Sequence, residues 1–267
     1  MELKITDIQT FCLHDGPGVR TTIFLAGCPL SCVWCHNPEA RAYHPILVFD
    51  EKKCTYCGAC SMCPCHDFTH GHTINRDACT LCGKCVENCK SGALSISQRS
   101  LFYEEYALLV DRQSRLTGEL GGITFSGGEP LSQGKELIKF LDATPIHKAI
   151  ETCGYADGEL FSEVIKRTDL VMFDLKLADD TLHRKYTGVS NALILENLKR
   201  LRKSGKPFLL RTPLIPGITD TEENLMQIQQ IVDGDPWEKL PYNPLTSVKY
   251  ERIGMKYNIP DNKTNVD

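Results

Sequence analysis

The chain has 267 residues, 42% of them hydrophobic, and a formal net charge of −4, which suits one large domain or a domain carrying an insert. The mild charge offers no basic footprint for nucleic acid, and no apolar run approaches the ~18 residues that span a membrane. The stretch MELKITDIQT lacks the apolar core of a signal peptide, so we expect a cytoplasmic protein with reduced thiols. Its 14 cysteines are then more typical of metal ligands than of disulfides.

Strand-like runs alternate with helix-like patterns along most of the chain. The strand-like runs are VRTTIFLAG, GGITFSGG, HKAIETCG, DLVMFDLK and KPFLLRTPLIPG, each apolar and followed by polar or glycine-rich residues. Helical patterns, with apolar residues at i, i+3 and i+4, cover residues 101–116, 133–142, 158–167, 192–204 and 221–232. Thr219 and Glu222 predict a capping box at the last of these helices.

Repeated strand–helix units predict an α/β fold with a parallel sheet. About six strands can be counted, fewer than the eight of a closed barrel, so we expect a partial (β/α)6 TIM-type barrel. Residues 48–97 interrupt the alternation, because they are rich in Cys, Gly, His and Asp and contain no long apolar run. We predict that residues 1–47 and 98–267 form the barrel and that 48–97 form an inserted ferredoxin-like domain organised by metal clusters.

The second half of the insert contains CTLCGKCVENC, whose C-x2-C-x2-C-x3-C spacing is the ferredoxin run for a [4Fe–4S] cluster. The first half contains CTYCGACSMCPC, where a regular run would place a cysteine at position 64, which is Pro64 here. In two-cluster ferredoxins the fourth cysteine of each run serves the other cluster. One predicted cluster is therefore bound by four cysteines: Cys54, Cys57, Cys60 and Cys89.

The second predicted cluster is bound by three cysteines of the second run and one that flanks Pro64, namely Cys79, Cys82, Cys85, and Cys63 or Cys65. Helical geometry does not choose between Cys63 and Cys65, because each is displaced by one residue from the regular spacing. We favour Cys63, since Pro64 follows it as proline follows the ligand in the ferredoxin run. Zinc is the weaker alternative, because it predicts cysteine pairs set farther apart or a histidine partner.

A third cysteine group lies in GCPLSCVWCHNPE, after the first strand-like run. Cys28, Cys32 and Cys35 have C-x3-C-x2-C spacing. Three thiolates on a cubane cluster leave one iron without a protein ligand, and an open metal position can bind a substrate. We therefore predict that these three cysteines form the catalytic centre.

The stretch HDGPGVRTTIFLAGCPLSCVWCHNPE resembles the radical S-adenosylmethionine (SAM) superfamily and, more narrowly, the activating enzymes of glycyl radical enzymes. It has their DGPG-x-R lead-in, the Phe before Gly-Cys, the aromatic residue before the last cysteine and the Asn two residues after it. The resemblance runs from about residue 5 to about residue 255 and includes the insert, which the pyruvate formate-lyase activator lacks.

The resemblance implies a SAM site at the ends of the strand-like runs. Gly127, Gly128 and Glu129 of SGGEP would approach the amino group of the methionine part, where small residues let the backbone come close. Lys176 and Arg211 would pair with the ribose and the carboxylate. The full set implied to bind SAM is Trp34, Cys35, His36, Gly127, Gly128, Glu129, Thr152, Asp174, Lys176, Arg211 and Asn243.

The resemblance also assigns finer roles. Trp34 is expected near the adenine, with Cys35 and His36 contributing backbone contacts. Asn243, where the pyruvate formate-lyase activator has His, is expected to hydrogen-bond the nucleoside, and Asp15 is expected near the glycine loop of the partner. In that activator a monovalent cation lies beside SAM, held by the counterparts of Glu151, Thr152, Met172 and Asp174, with a shorter Asp at the first position.

Several of these residues have a purely structural alternative. SGGEP could be an ordinary strand-to-helix turn, Asp174 and Lys176 could form a salt bridge at a strand end, and Asp15 could cap a turn. Cys12 and Cys153 are expected to be buried thiols.

The resemblance implies reductive cleavage of SAM to methionine and a 5′-deoxyadenosyl radical, which takes a hydrogen atom from a glycine of a partner glycyl radical enzyme. It implies three [4Fe–4S] clusters, SAM and a monovalent cation as cofactors, and a flavodoxin or ferredoxin as electron donor. We expect a monomer whose partner is a decarboxylase, a dehydratase, or a carbon–nitrogen or carbon–sulfur lyase. The alternatives are an iron–sulfur electron carrier, or a radical SAM enzyme that modifies a small molecule or a peptide.

Overall fold

The computed structural model describes residues 1–257 and residue 259. Its strands are, in chain order, β1 (Glu2–Cys12), β2 (Val19–Leu25), β3 (Leu47–Phe49), β4 (His66–Asp67), β5 (Thr73–Ile74), β6 (Leu94–Ile96), β7 (Arg99–Phe102), β8 (Gly121–Gly127), β9 (Lys148–Thr152), β10 (Leu170–Asp174), β11 (Phe208–Pro213) and β12 (Trp237–Leu240). Its α-helices are α1 (Lys84–Asn88), α2 (Tyr103–Thr117), α3 (Gly134–Asp142), α4 (Gly158–Lys166), α5 (Asp180–Thr187), α6 (Ala192–Ser204), α7 (Glu222–Val232) and α8 (Thr246–Arg252).

The main sheet has eight strands in the order β12-β11-β10-β9-β8-β2-β1-β7. Six consecutive strands of this sheet are parallel to one another: β12, β11, β10, β9, β8 and β2. This confirms the α/β prediction and the count of about six parallel strands. Strands β1 and β7 extend this sheet in antiparallel fashion and lie outside the predicted strand-like runs. In β1 the buried Leu3 and Ile5 alternate with polar residues, so one face of this strand joins the core.

The predicted helices pack on the sheet through their apolar stripes. Helices α2, α3, α4, α6 and α7 match the five predicted patterns to within two residues at each end. Their buried residues join the strand residues in one core, which includes Tyr106, Phe140, Phe161, Leu198 and Ile228. Both faces of the parallel strands are buried, so the polar residues lie beyond the carboxyl ends of the strands. These ends all point to the same side of the sheet.

The capping box predicted at α7 is wrong in its first residue. Thr221, not Thr219, is the N-cap, and its hydroxyl accepts a hydrogen bond from the Asn224 N–H at 3.3 Å. The Thr219 hydroxyl accepts from the Ile215 N–H at 2.6 Å and donates to the Pro213 carbonyl. It therefore fastens the loop after β11, a contact that local spacing does not reveal.

The segment between β3 and β6 has little secondary structure of its own. Strands β3 and β6 pair in antiparallel fashion, the two-residue strands β4 and β5 pair with each other, and α1 has five residues. The apolar centre of the segment is small and contains cysteines beside aliphatic residues: Leu47, Cys60, Cys85 and Leu94. Arg76 anchors the segment to the end of α8, because its guanidinium donates to the Arg252 carbonyl at 2.9 Å.

Candidate active site

The loop that carries Cys28, Cys32 and Cys35 follows β2 at the carboxyl edge of the sheet. Its backbone is fastened at two places. Gly27 N–H donates to the Ala40 carbonyl at 2.8 Å, and Ser31 N–H donates to the carbonyl of Thr187 in α5 at 2.7 Å. These bonds hold the three cysteines over the strand ends.

The three thiols lie in a buried setting that suits metal ligands. Cys32 is 7% exposed, and Cys28 and Cys35 are half-buried. Burial raises the pKa of all three thiols, that of Cys35 to about 12. Ionised thiolates without a bound metal are therefore unfavourable here. The iron ions of a bound cluster would supply positive charge that stabilises the thiolates. Three soft sulfur donors from one loop fit a [4Fe–4S] cluster with one iron free of protein ligands.

The glycines of SGGEP allow β8 to approach the cysteine loop closely. A Cβ on Gly127, whose φ is +108°, would lie 2.4 Å from the Leu25 backbone nitrogen. A Cβ on Gly128 would lie 2.4 Å from the Gly27 carbonyl oxygen. Both contacts are with backbone that cannot move aside, so these positions require glycine.

Glu129 follows the glycines and is 1% exposed. Its carboxylate accepts hydrogen bonds from the Leu131 N–H at 3.0 Å, the Thr152 hydroxyl at 2.7 Å and the Cys153 N–H at 2.8 Å. The Cys153 thiol donates to the same carboxylate at 2.9 Å. Burial raises the pKa of Glu129, and these donors only partly oppose that shift. A cation bound at this carboxylate would offset the cost of its burial.

Four charged side chains, from β9, β10, β11 and the residues after β10, form a network whose exposed fractions range from 8% for Arg211 to 24% for Asp174. In the parallel register Asp174 lies opposite Arg211, so their side chains emerge at the same level. Arg211 donates to Glu151 at 2.8 Å and to Asp174 at 3.1 Å, and Lys176 donates to Asp174 at 3.0 Å. Burial tends to raise the pKa of Asp174, but Lys176 and Arg211 outweigh it and lower that pKa. The salt bridge considered for Asp174 and Lys176 is therefore present.

Trp34 and His36 lie on opposite sides of Cys35 in the sequence. Trp34 is 3% exposed, with its ring centre 6.5 Å from that of Tyr186 in α5. Its apolar neighbours form a cluster over the strand ends: Leu30, Cys32, Cys153, Leu177, Ile215 and Ile259. The buried Nε2 of His36 has no hydrogen-bond partner among residues 1–257 and 259, and burial lowers the pKa of this imidazole.

Helix α8 covers the cysteine loop, a role that the sequence analysis missed. Lys249 donates to the Asn37 side-chain carbonyl at 2.8 Å, and the buried Tyr250 donates to the Val33 carbonyl at 3.4 Å. The Tyr250 side chain is 2% exposed. With seven residues, α8 is too short for its period to be distinctive, although Gly254 after its end is a helix-stop signal.

Two predicted residues are engaged elsewhere in this structure. Asn243 is exposed, and its side chain accepts from the Leu245 N–H at 3.0 Å in the turn before α8. The Asp15 carboxylate accepts from the Thr22 hydroxyl at 2.6 Å, and the Asp15 carbonyl accepts from the Thr124 hydroxyl at 2.6 Å. Asp15 is thus fastened to the middle of β2 and β8.

None of the 14 cysteines, all of which lie in the described part of the chain, forms a disulfide. The expectation that both isolated cysteines are buried is correct for Cys153 and wrong for Cys12. Cys153 is 6% exposed, whereas Cys12, the last residue of β1, is only partly buried. Cys153 also has the specific bond to Glu129, which adjacency in the sequence could not reveal.

Residues 48–97, the predicted insert, bring the predicted cluster ligands into two groups. One cavity is lined by the four cysteines of the first predicted set together with Phe68 and His72; these cysteines are Cys54, Cys57, Cys60 and Cys89. In the second set, Cys85 lies near Cys63 and Cys79, and the Cys65 thiol lies beside Cys63. Both cysteines that flank Pro64 therefore adjoin the second set. Sulfur donors grouped in this way fit iron–sulfur clusters.

Comparison with protein families identifies the class of enzyme to which the chain belongs. The sequence model of the Radical SAM superfamily matches residues 22–228, so the chain belongs to the radical SAM superfamily. Its site therefore belongs to enzymes that use a [4Fe–4S] cluster and SAM for radical chemistry.

Relatives that match over nearly the whole chain narrow this class. The chain is 35% identical to the 4-hydroxyphenylacetate decarboxylase activating enzyme of Clostridioides difficile (strain 630), over 100% of this chain and 90% of the relative. It is 36% identical to the trans-4-hydroxy-L-proline dehydratase activating enzyme of Clostridioides difficile, over 96% and 90%. It is 37% identical to the isethionate sulfite-lyase activating enzyme of Oleidesulfovibrio alaskensis, over 91% and 84%. No helix among residues 1–257 and 259 is long and apolar enough to cross a membrane.

Proposed function

We propose that this radical SAM enzyme activates a glycyl radical enzyme. The proposal rests on one observation above all: the chain matches three activating enzymes over 91% to 100% of its own length and 84% to 90% of theirs. Those relatives serve a decarboxylase, a dehydratase and a sulfite-lyase, so the partner of this chain belongs to the same kind of protein. When bound, the cluster and SAM supply one electron and a 5′-deoxyadenosyl radical that removes a hydrogen atom from a partner glycine, leaving methionine, 5′-deoxyadenosine and a glycyl radical.

The residues of the barrel bind and orient SAM in this proposal. Cys28, Cys32 and Cys35 bind the [4Fe–4S] cluster. The apolar side chains packed around Trp34 exclude water from this iron–sulfur cluster. The carboxylate of Glu129 lies close to the amino group of SAM in this proposal. Burial raises the pKa of Glu129, so positive charge on a nearby group would stabilise its ionised form. His36, Thr152 and Asn243 complete the set of SAM contacts that the resemblance implies.

Arg211 and Lys176 are the positively charged residues that contact the carboxylate and the ribose of SAM in this proposal. In this structure Arg211 is paired with Glu151 and Asp174, which correspond to the cation ligands of the pyruvate formate-lyase activator. A monovalent cation would compete with Arg211 for the same oxygens. We therefore propose that cation binding frees Arg211 to turn toward SAM.

The insert, residues 48–97 in this proposal, holds two [4Fe–4S] clusters. Cys57 and Cys82 are exposed, which brings one edge of each cluster close to solvent and to an electron donor such as flavodoxin or ferredoxin. The sheet is open, with β7 and β12 as its two edge strands, and the glycine loop of the partner is proposed to enter through this opening. The resemblance implies that Asp15 lies near that loop. We propose that the protein works as a monomer in the cytoplasm.

Electron paramagnetic resonance tests this function directly. Reconstituted, reduced protein is mixed with SAM and with each of a glycyl radical decarboxylase, dehydratase and sulfite-lyase. We expect a glycyl doublet with one partner class and one 5′-deoxyadenosine per radical formed. Formation of 5′-deoxyadenosine without any glycyl radical would favour a radical enzyme with another substrate. No cleavage of SAM at all would favour an electron carrier.

A further inference from the structure

Two buried histidines of the insert have no role in the function proposed above. His66, on β4, is 8% exposed, and His72, directly before β5, is 6% exposed. Buried histidines in a segment with so small an apolar centre require specific partners. Their partners are the first predicted set of cluster cysteines and each other.

The His72 ring is held in one orientation against this set. Its Nδ1 lies 3.3 Å from the Cys54 sulfur, and its Nε2 lies 3.7 Å from the Cys60 sulfur. The same Nε2 lies 2.7 Å from His66 Nδ1. Phe68 stacks on the ring and Phe49 meets it edge-on, each with ring centres 4.4 Å apart. The ring therefore cannot turn away without losing both aromatic contacts.

Proton accounting fixes the direction of these bonds once Cys54 binds iron. An iron-bound thiolate carries no proton and can only accept a hydrogen bond. Each ring nitrogen of His72 faces a sulfur of the first set, so a neutral ring can donate to only one of them. Nδ1 is assigned the proton because the Cys54 sulfur, at 3.3 Å, is nearer than the Cys60 sulfur, at 3.7 Å, and because Nε2 has His66 Nδ1 at 2.7 Å as its partner. A neutral His72 then has a bare Nε2, which accepts from the Nδ1–H of His66. This leaves His66 Nε2 unprotonated, so its lack of a partner in the described part of the chain strands no buried N–H.

We propose that His72, oriented by His66, donates a hydrogen bond from Nδ1 to the Cys54 thiolate of the first auxiliary cluster and thereby raises the reduction potential of that cluster. A hydrogen bond to a ligand sulfur stabilises the reduced state more, because that state carries more negative charge. The proposal rests on the function proposed above, which supplies the clusters. It makes the two auxiliary clusters unequal, because both ring contacts with sulfur involve the first set.

The test is a redox titration of the reconstituted full-length protein, followed by electron paramagnetic resonance. The background variant is Cys28→Ala/Cys32→Ala/Cys35→Ala, so that only the auxiliary clusters give signals. We expect His72→Leu to lower the ratio of reduced to oxidised first cluster about tenfold at a fixed potential, or about 59 mV for one electron. His72→Asn, whose amide can donate from nearly the same position, should restore most of this ratio. His70→Ala is the matched control, because His70 is exposed in the same loop and should change nothing.

His66→Phe is the second variant, in case His72→Leu fails to retain its cluster. It removes the bond that fixes the His72 proton and leaves the His72 ring in place, so the same ratio should fall. Unchanged midpoints in variants that keep both clusters would overturn the role of His72 and leave the proposed function intact. Direct coordination of iron by a histidine nitrogen, seen as strong nitrogen hyperfine coupling, would also overturn it. Absence of auxiliary clusters from the background variant with native histidines would instead overturn the two-cluster insert.

Discussion

Cys28, Cys32 and Cys35 lie on a loop supported by an eight-stranded sheet and by contacts with α5 and α8. The nine cysteines of the insert are supported by strands of two or three residues and a helix of five. The loop of Cys28, Cys32 and Cys35 is thus held by packing and backbone hydrogen bonds, whereas the apolar centre of residues 48–97 is very small.

This difference indicates two ways of building an iron–sulfur site. In the proposed function, ordinary packing of the sheet and its helices presets Cys28, Cys32 and Cys35 for the SAM cluster. In residues 48–97, binding of the proposed auxiliary clusters would contribute to folding, because segments of roughly 50 residues rarely bury enough apolar surface alone. The proposed auxiliary clusters would then have a structural as well as an electronic role, whereas the proposed SAM cluster would have only a catalytic one.

The largest expected effect comes from Cys32→Ala in the barrel loop. Loss of one of three ligands should remove the SAM cluster and lower SAM cleavage by at least about 10⁴-fold, or ~5.5 kcal/mol of activation free energy. The fold and the auxiliary clusters should remain, because the sheet does not depend on this thiol. The measurements are 5′-deoxyadenosine formation, iron content and thermal unfolding. Cys12→Ala is the matched control, and a loss of auxiliary iron in Cys32→Ala would contradict the independence of the two regions.

Next in size is Arg211→Met, which tests how far the barrel stabilises its own site. The substitution leaves the partly buried carboxylates of Glu151 and Asp174 with one cation fewer. Because Asp174 keeps its bond to Lys176, we expect a loss of about 3 kcal/mol of unfolding free energy, the low end for a broken buried pair. Denaturant unfolding measures this loss. Arg115→Gln, in an exposed pair with Asp111, is the control and should cost less than ~0.5 kcal/mol.

The pH dependence of the Arg211→Met variant has a definite sign. Burial raises the pKa of Glu151 above its ordinary 4.5, and Arg211 opposes that shift. Without Arg211 the folded-state pKa rises further, so the folded protein retains a proton that the unfolded chain releases. The loss of stability should therefore be largest at high pH and shrink as the pH falls toward 4.5. A loss that grows on acidification would refute this account of the network.

Removal of all iron should separate the two regions by hydrogen exchange. In the apo protein we expect amides of residues 54–92 to exchange roughly a hundredfold faster than in the reconstituted protein, because cluster binding supplies much of the stability of this segment. Amides of β8, β9 and β10 should be protected equally in both forms. Equal protection of residues 54–92 with and without iron would show that the insert folds by itself.

The sequence predicts features that depend on neighbouring residues, but not contacts between distant segments. The five helices and five parallel strands were readable because their apolar periods are local, and the cysteine groups were readable because ligand spacing is local. The contacts of Thr219, of Cys153 with Glu129, and of α8 with the cysteine loop were not, because they depend on how distant segments meet. The histidine pair is intermediate: CHDFTHGHT shows that histidines are present, but not that His72 contacts Cys54.

The smallest expected effect concerns the Cys153 thiol, a neutral hydrogen-bond donor to Glu129 in the proposed SAM site. Cys153→Ala removes the thiol bond to Glu129 and keeps the backbone bond from the same residue, so SAM affinity should fall about 5–10-fold, or ~1 kcal/mol. Cys153→Ser keeps a donor and should lie within about twofold of the parent, measured by equilibrium dialysis of SAM on the reconstituted protein. Because Glu129 retains its other donors, iron content and unfolding should not separate the two variants. Equal affinities for Ala and Ser would mean that Cys153 only fills space, and that the barrel sets Glu129 through Thr152 and the backbone alone.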